Sequence, residues 1–148
     1  MPFFEDFQVG QRKSFGRYEV MRDEVIDFAR RYDPQRFHLD DAAAASTHFG
    51  RLAASGWHTT AMTMAMFVAD MDDGDDAGSL GAAGVDNLRW LKPVFPGDVL
   101  RCESEVLETT PSRSKPLGVV KSRTTVINQD DEPVLTFEPI AMFRRREG

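Results

Sequence analysis

Ser55-Gly56-Trp57-His58-Thr59-Thr60-Ala61-Met62-Thr63-Met64-Ala65-Met66-Phe67-Val68-Ala69-Asp70-Met71 is the most apolar stretch of the chain. Ala61, Met62, Met64, Ala65, Met66, Phe67 and Val68 surround a helix on nearly every side, which suits a helix enclosed by a sheet rather than one lying on it. Ser55 is a good N-cap for that helix. The rest of the chain reads as strands, about Ala82 to Leu91, Val99 to Glu108, Gly118 to Asn128 and Val134 to Arg145. In the second of these, Leu100, Cys102 and Val106 share one face while Arg101, Glu103 and Glu105 share the other, the alternation of a half-buried strand. Pro96-Gly97-Asp98 turns the chain before it, and Asn128-Gln129-Asp130-Asp131-Glu132-Pro133 separates the last two, as in an antiparallel meander.

Upstream, an early strand is expected near Gln11 to Val20. Met21, Val25, Phe28, Ala29 and Tyr32 then line one face of a helix from about Asp23 to Tyr32. Asp23 and Glu24 suit its first turn, and Arg30 and Arg31 its last. Pro34 disfavours helical geometry at Asp33, so a loop begins there. Asp40 can cap a short alanine-rich turn through Ala45. The order of elements predicts an α+β chain, one domain over residues 1–148, with a curved antiparallel sheet wrapped around one buried central helix.

With 148 residues, 41% of them hydrophobic and 28% charged, the chain is long enough to enclose one core without disulfides. A net charge of -6 argues against a nucleic-acid partner, and Arg144-Arg145-Arg146 reads as a solvated strand end. Cys102 is the single cysteine, which suits a reducing compartment. The N-terminus lacks the basic flank and apolar core of a secretion signal. No apolar run approaches the roughly 18 residues that span a bilayer. A soluble, cytoplasmic protein with no membrane partner is the expectation.

No metal or cofactor is expected either. In the acidic loop Asp72-Asp73-Gly74-Asp75-Asp76, the register Asp70, Asp72, Gly74 brings the glycine one place early for calcium. His38, His48 and His58, with Asp40, are common ligand types, but their ten-residue spacing gives no shared helix face.

Asp33 and His38 are the candidate catalytic pair. Acid/base chemistry on water requires a base for the water, a group to deliver a proton and donors for any oxygen that gains negative charge. A carboxylate and an imidazole five residues apart, in a loop punctuated by Pro34, can turn toward one water molecule. Asp33 also places negative charge at the carbonyl end of a helix, which the dipole disfavours by about 0.3 to 1 kcal/mol. On the pattern alone, an Asx-type turn at Asp33-Pro34 with His38 as a satisfied loop residue explains the same residues. Backbone N–H groups after Ser55 would point out of the helix start, where an oxyanion is stabilised, and Gly56 would let a ligand approach closely.

The stretch Tyr32-Asp33-Pro34-Gln35-Arg36-Phe37-His38-Leu39-Asp40 resembles the signature of MaoC-like dehydratases and (R)-specific enoyl-CoA hydratases, commonly written Gly-Asp-x-Asn-Pro-(aliphatic)-His. Ser55-Gly56-Trp57 resembles the segment opening that family's central helix, and Val94-Phe95-Pro96-Gly97-Asp98 its strand-turning motif. The matches run in the family's order from about Phe4 to Phe143. Tyr32 replaces the usual glycine, Gln35 stands where asparagine is usual, and proline comes two positions early.

The resemblance implies a single hot-dog fold, paired as a homodimer or higher homo-oligomer. It also implies a hydro-lyase acting on acyl-CoA or another acyl thioester in fatty acid metabolism. Its acid/base pair falls on Asp33 and His38, with Ser55, Gly56 and Trp57 in the oxyanion and substrate-binding segment. Arg51, Arg89 and Lys92, flanking the helix start and an expected central strand, are the cations available to CoA phosphates. A hot-dog acyl-CoA thioesterase and a non-catalytic acyl-CoA-binding domain are the alternatives.

Overall fold

The computed structural model describes residues 3–71 and 78–146. The acidic segment 72–76 and its calcium reading lie outside the described residues. Strand β1 (Arg12–Glu19) is followed by helices α1 (Arg22–Tyr32), α2 (Asp41–Ala45) and α3 (Gly56–Asp70), then β2 (Ser79–Trp90), β3 (Val99–Pro111), β4 (Leu117–Ile127) and β5 (Pro133–Arg144). The strands form one antiparallel sheet in the order β1-β3-β4-β5-β2. The arrangement is that of a hot-dog fold, with α3 as the central helix.

That order explains the position of α3. The chain leaves β1 at one edge and re-enters at β2 on the opposite edge, so the helical segment between them must cross the sheet. Met62 and Met66 of α3 are buried in one cluster with Leu100 and Cys102 of β3, Val126 of β4, and Val134, Leu135 and Phe137 of β5. Closest approach occurs at a bulge in β1 between Phe15 and Tyr18. There Gly16 has φ +86°, and a Cβ on it would lie 2.8 Å from Met66 Sδ. Glycine is needed twice over, for the backbone angle and for the space.

Two expectations change. Helix α3 buries His58, Thr59, Met62, Thr63 and Met66 but leaves Trp57, Met64 and Val68 on an exposed flank, so it is covered on one side rather than all round. Strand β2, expected to be central, is an edge strand, and nearly all of it is exposed. The cause is the pairing: β3, β4 and β5 join through short turns, while β2 pairs with β5 and so ends the sheet. Alternation in the sequence fixes which face of a strand is buried, but not which strand is outermost.

Candidate active site

Helix α1 stops where Pro34 requires. Asp33 N–H still bonds to Ala29 O at 2.9 Å, but Asp33 itself has left helical geometry at φ -153°, ψ 68°. A 3-10 turn over Arg36–His38 follows, and His38 is almost wholly buried. Its Nδ1 lies 2.7 Å from the Ala53 carbonyl, in the segment leading to α3. That segment is fixed by Ala53 N–H to Phe37 O at 3.2 Å and by Ala54 N–H to Val94 O at 2.7 Å. The loop after α1 and the entry to α3 are thus tied together by backbone bonds.

Three side chains converge on the Asp33 carboxylate. Ser55 Oγ donates to Oδ2 at 2.8 Å, His38 Nε2 lies 3.3 Å from the same oxygen, and Gln35 Nε2 donates to Oδ1 at 2.7 Å. The Ala53 carbonyl can only accept, so the neutral imidazole carries its proton on Nδ1 and turns the Nε2 lone pair toward Asp33. Two acceptors facing each other at this distance suit a shared proton donor. One water can donate one hydrogen to each, which orients its oxygen away from both.

Ser55 does not act as the side-chain cap that was expected. It occupies the N-cap position with no cap hydrogen bond, because its hydroxyl is turned to Asp33. The first turn is closed instead by His58 N–H and Thr59 N–H on Ser55 O, at 2.9 and 3.1 Å. Without a side-chain cap, the N–H groups of Gly56 and Trp57 keep the donor capacity of a helix start beside the Asp33 carboxylate.

Gly56 is small for a further reason. A Cβ there would meet the Trp90 ring at 2.5 Å, so the side of Gly56 where a side chain would stand is filled by an indole from β2. Trp90 Nε1 donates to Thr60 Oγ1 at 3.3 Å, and Trp57 packs edge-on against Trp90 with ring centroids 5.0 Å apart. Both tryptophans are about half exposed, and Trp57 is not part of the core.

The expected phosphate contacts do not form a cluster. The Arg51 guanidinium sits 4.0 Å over the Phe95 ring, Lys92 pairs with Glu132, and Arg89 lies on edge strand β2. The histidines also separate. His48 packs at a tilt against Phe49, His58 faces Glu24, and among the described residues no group of three or more His, Cys, Asp or Glu side chains could hold a metal ion. Cys102 is buried beside Met66, and burial pushes its thiol up to about 12, which leaves it no thiolate for nucleophilic work.

Sequence reasoning missed the Ala53 carbonyl, which as a backbone group carries no residue signal. It treated Gln35 only as a departure from a motif, although a side-chain amide two residues from Asp33 was a readable donor. Trp90 over Gly56 is a contact between residues 34 positions apart and left no local trace.

This site sits on a hot-dog domain, beside the start of its central helix. A family model for the MaoC like domain matches residues 6–128, and the chain belongs to the MaoC-like dehydratase family. The MaoC-like dehydratase from Rhodospirillum rubrum is 38% identical, with TM-score 0.89 and 100% of each chain covered. The (R)-hydratase PhaJ1 from Pseudomonas aeruginosa is 30% identical, with TM-score 0.76 over 97% of this chain and 86% of that one. Mesaconyl-CoA hydratase from Cereibacter sphaeroides is 48% identical over 59 residues, a match covering 40% of this chain and 17% of that enzyme. Hydratases and dehydratases are thus among the proteins that this chain resembles. Among the described residues, no helix is long and apolar enough to cross a membrane.

Proposed function

We propose that the chain adds water across the double bond of a 2-enoyl thioester, carried on CoA, or removes it from the corresponding 3-hydroxyacyl thioester. The observation that carries this reading is Asp33 Oδ2, which receives the Ser55 hydroxyl and faces the His38 Nε2 lone pair beside the start of α3. Asp33 accepts a proton from water as the water oxygen bonds to the β-carbon. His38 orients that water. The displaced π pair moves onto the α-carbon and the thioester oxygen, and the Gly56 N–H stabilises the enolate charge. The proton then passes through the Asp33–His38 pair to the α-carbon, so the net change is addition of one water.

Replacing Asp33 with Asn keeps the size and the Ser55 contact but removes the base. Loss of enoyl absorbance from a panel of 2-enoyl-CoA esters should fall by about 10²- to 10⁴-fold in Asp33→Asn, with the circular dichroism spectrum unchanged. Undiminished hydration by that variant would refute the assignment. Release of free thiol from saturated acyl-CoA would place the activity with the thioesterases instead. The same reading includes a homodimer, in which a second copy covers the exposed β2 edge and the apolar flank of α3, and a cytoplasmic location.

A further inference from the structure

Helices α1 and α3 meet again beyond Asp33 and Ser55. One turn on from Ser55, His58 is buried, and its imidazole stacks on Phe28 with ring centroids 4.5 Å apart and planes 6° from parallel. Its Nε2 faces Glu24 Oε1 at 3.5 Å, longer than an ordinary hydrogen bond. The Tyr18 hydroxyl donates to the same carboxylate oxygen. His58 Nδ1 is sealed from solvent and has no partner among the described residues.

Glu24, Phe28, Tyr32 and His58 line a surface depression of 540 Å³. Asp23, Asp27 and Arg31 supply the rest of its charge, so three carboxylates face one guanidinium. The depression lies along the helices that carry the catalytic groups: Tyr32 directly precedes Asp33, and His58 N–H is bonded to Ser55 O. Phe28 lies roughly 7.5 Å of helix rise before Asp33, and His58 roughly 4.5 Å after Ser55.

Burial lowers the basicity of His58, with Glu24 opposing, so the ring is neutral and holds its proton on Nε2 toward the carboxylate. Burial and the Glu24 carboxylate push Tyr18 up to about 12, which keeps its hydroxyl protonated and donating. Of the two ring nitrogens, Nε2 makes a long contact with Glu24 and Nδ1 makes none. A leucine in the same slot would pack on Phe28 and leave no polar atom unpaired. A polar ligand entering the depression can improve the long Nε2 contact, whereas Nδ1 is sealed from solvent and out of its reach.

Resting on the hydratase reading above, we propose that His58 and Glu24 form the distal end of the acyl site and select a hydroxyl group carried a few carbons beyond the reacting double bond. A hydroxyl accepts from Nε2–H and donates to the Glu24 carboxylate, bridging a pair that is too far apart to bond well directly. An alkyl end leaves both groups under-bonded. A carboxylate end meets Asp23, Glu24 and Asp27.

The test uses 2-enoyl-CoA esters of matched length ending in methyl, hydroxyl or carboxylate, with kcat/KM measured from enoyl absorbance. In the wild-type protein the hydroxyl ester should lead the methyl ester by roughly tenfold or more, with the carboxylate ester last. His58→Leu should abolish the hydroxyl preference and improve the methyl ester. Glu24→Gln should raise the carboxylate ester, an effect that loss of folding could not imitate. Equal rates for hydroxyl and methyl esters in active wild-type protein, or an unchanged ranking in active His58→Leu, would overturn this inference and leave the hydratase reading standing. Failure of the wild-type protein to hydrate any of the three would overturn both.

Discussion

At the scale of single residues, Asp33 is held by donors of two kinds. The Ser55 hydroxyl is wholly buried and bonds to Oδ2, whereas the Gln35 amide reaches Oδ1 from an exposed position. A hydrogen bond to a charged group contributes about 1.5 to 3 kcal/mol, and the buried donor has no water ready to replace it. Ser55→Ala should therefore lower kcat by at least tenfold with little change in KM. Gln35→Ala should cost less, because solvent can take the place of its amide. Steady-state kinetics on the two variants checks the order, and equal losses would show that burial does not govern the contribution of each donor.

Among the elements, the loop between α1 and α3 depends on short-range ties. Asp40 caps α2 by accepting Ala42 N–H at 3.3 Å, as its place before an alanine run led one to expect. Asp41 fastens the loop to the segment before α3 by accepting Leu52 N–H at 2.9 Å. That backbone bond, aided by Arg22, holds the Asp41 carboxyl below its usual value of 3.8. A carboxyl depressed on folding stabilises the fold above its unfolded pKa and loses that contribution as pH falls through the folded one. Denaturant titrations of the wild type should show stability falling as the pH drops below about 4, and Asp41→Asn should flatten that part of the curve.

Strand β1 makes its own demand. Gly16→Ala combines a left-handed backbone with a clash against Met66, so it should cost more than about 1 kcal/mol in urea unfolding. Gly10→Ala is the control, since its φ of +89° is similar but a Cβ there would meet nothing. The difference between the two variants isolates the contact with α3 from the strain of the backbone angle.

Over the whole molecule, α3 and β2 carry five of the exposed large apolar side chains among the described residues, and Trp57 of the first touches Trp90 of the second. Trp57, Met64 and Val68 on α3, and Val85 and Trp90 on β2, are each about half exposed, and β2 is an edge strand with unpaired backbone. An edge of this kind invites pairing with another chain. Sedimentation equilibrium of the wild type should give a mass of at least two chains, and Val85→Lys should shift the protein toward monomer. Its effect on hydration would show whether the second copy also supports the site, since Trp90 covers Gly56 from that same edge.

Much of the fold was legible locally. The apolar run from Ser55 marked the central helix, Pro34 marked the end of α1, and the alternation of Leu100, Cys102 and Val106 marked the buried face of β3. Asp33 and His38 lie five positions apart, a spacing that an Asx-type turn explains equally, and it was the resemblance of the surrounding stretch to a family signature that singled them out. Periodicity and turn chemistry act over a few residues, so the sequence by itself could determine these elements. Only the tertiary structure decided that β2 lies at the edge, that one flank of α3 is uncovered, that Ser55 bonds to Asp33 rather than capping its helix, and that Ala53 sets the tautomer of His38. Each of those depends on groups brought together from distant parts of the chain, or on a backbone carbonyl that every residue has, and no local pattern encodes either.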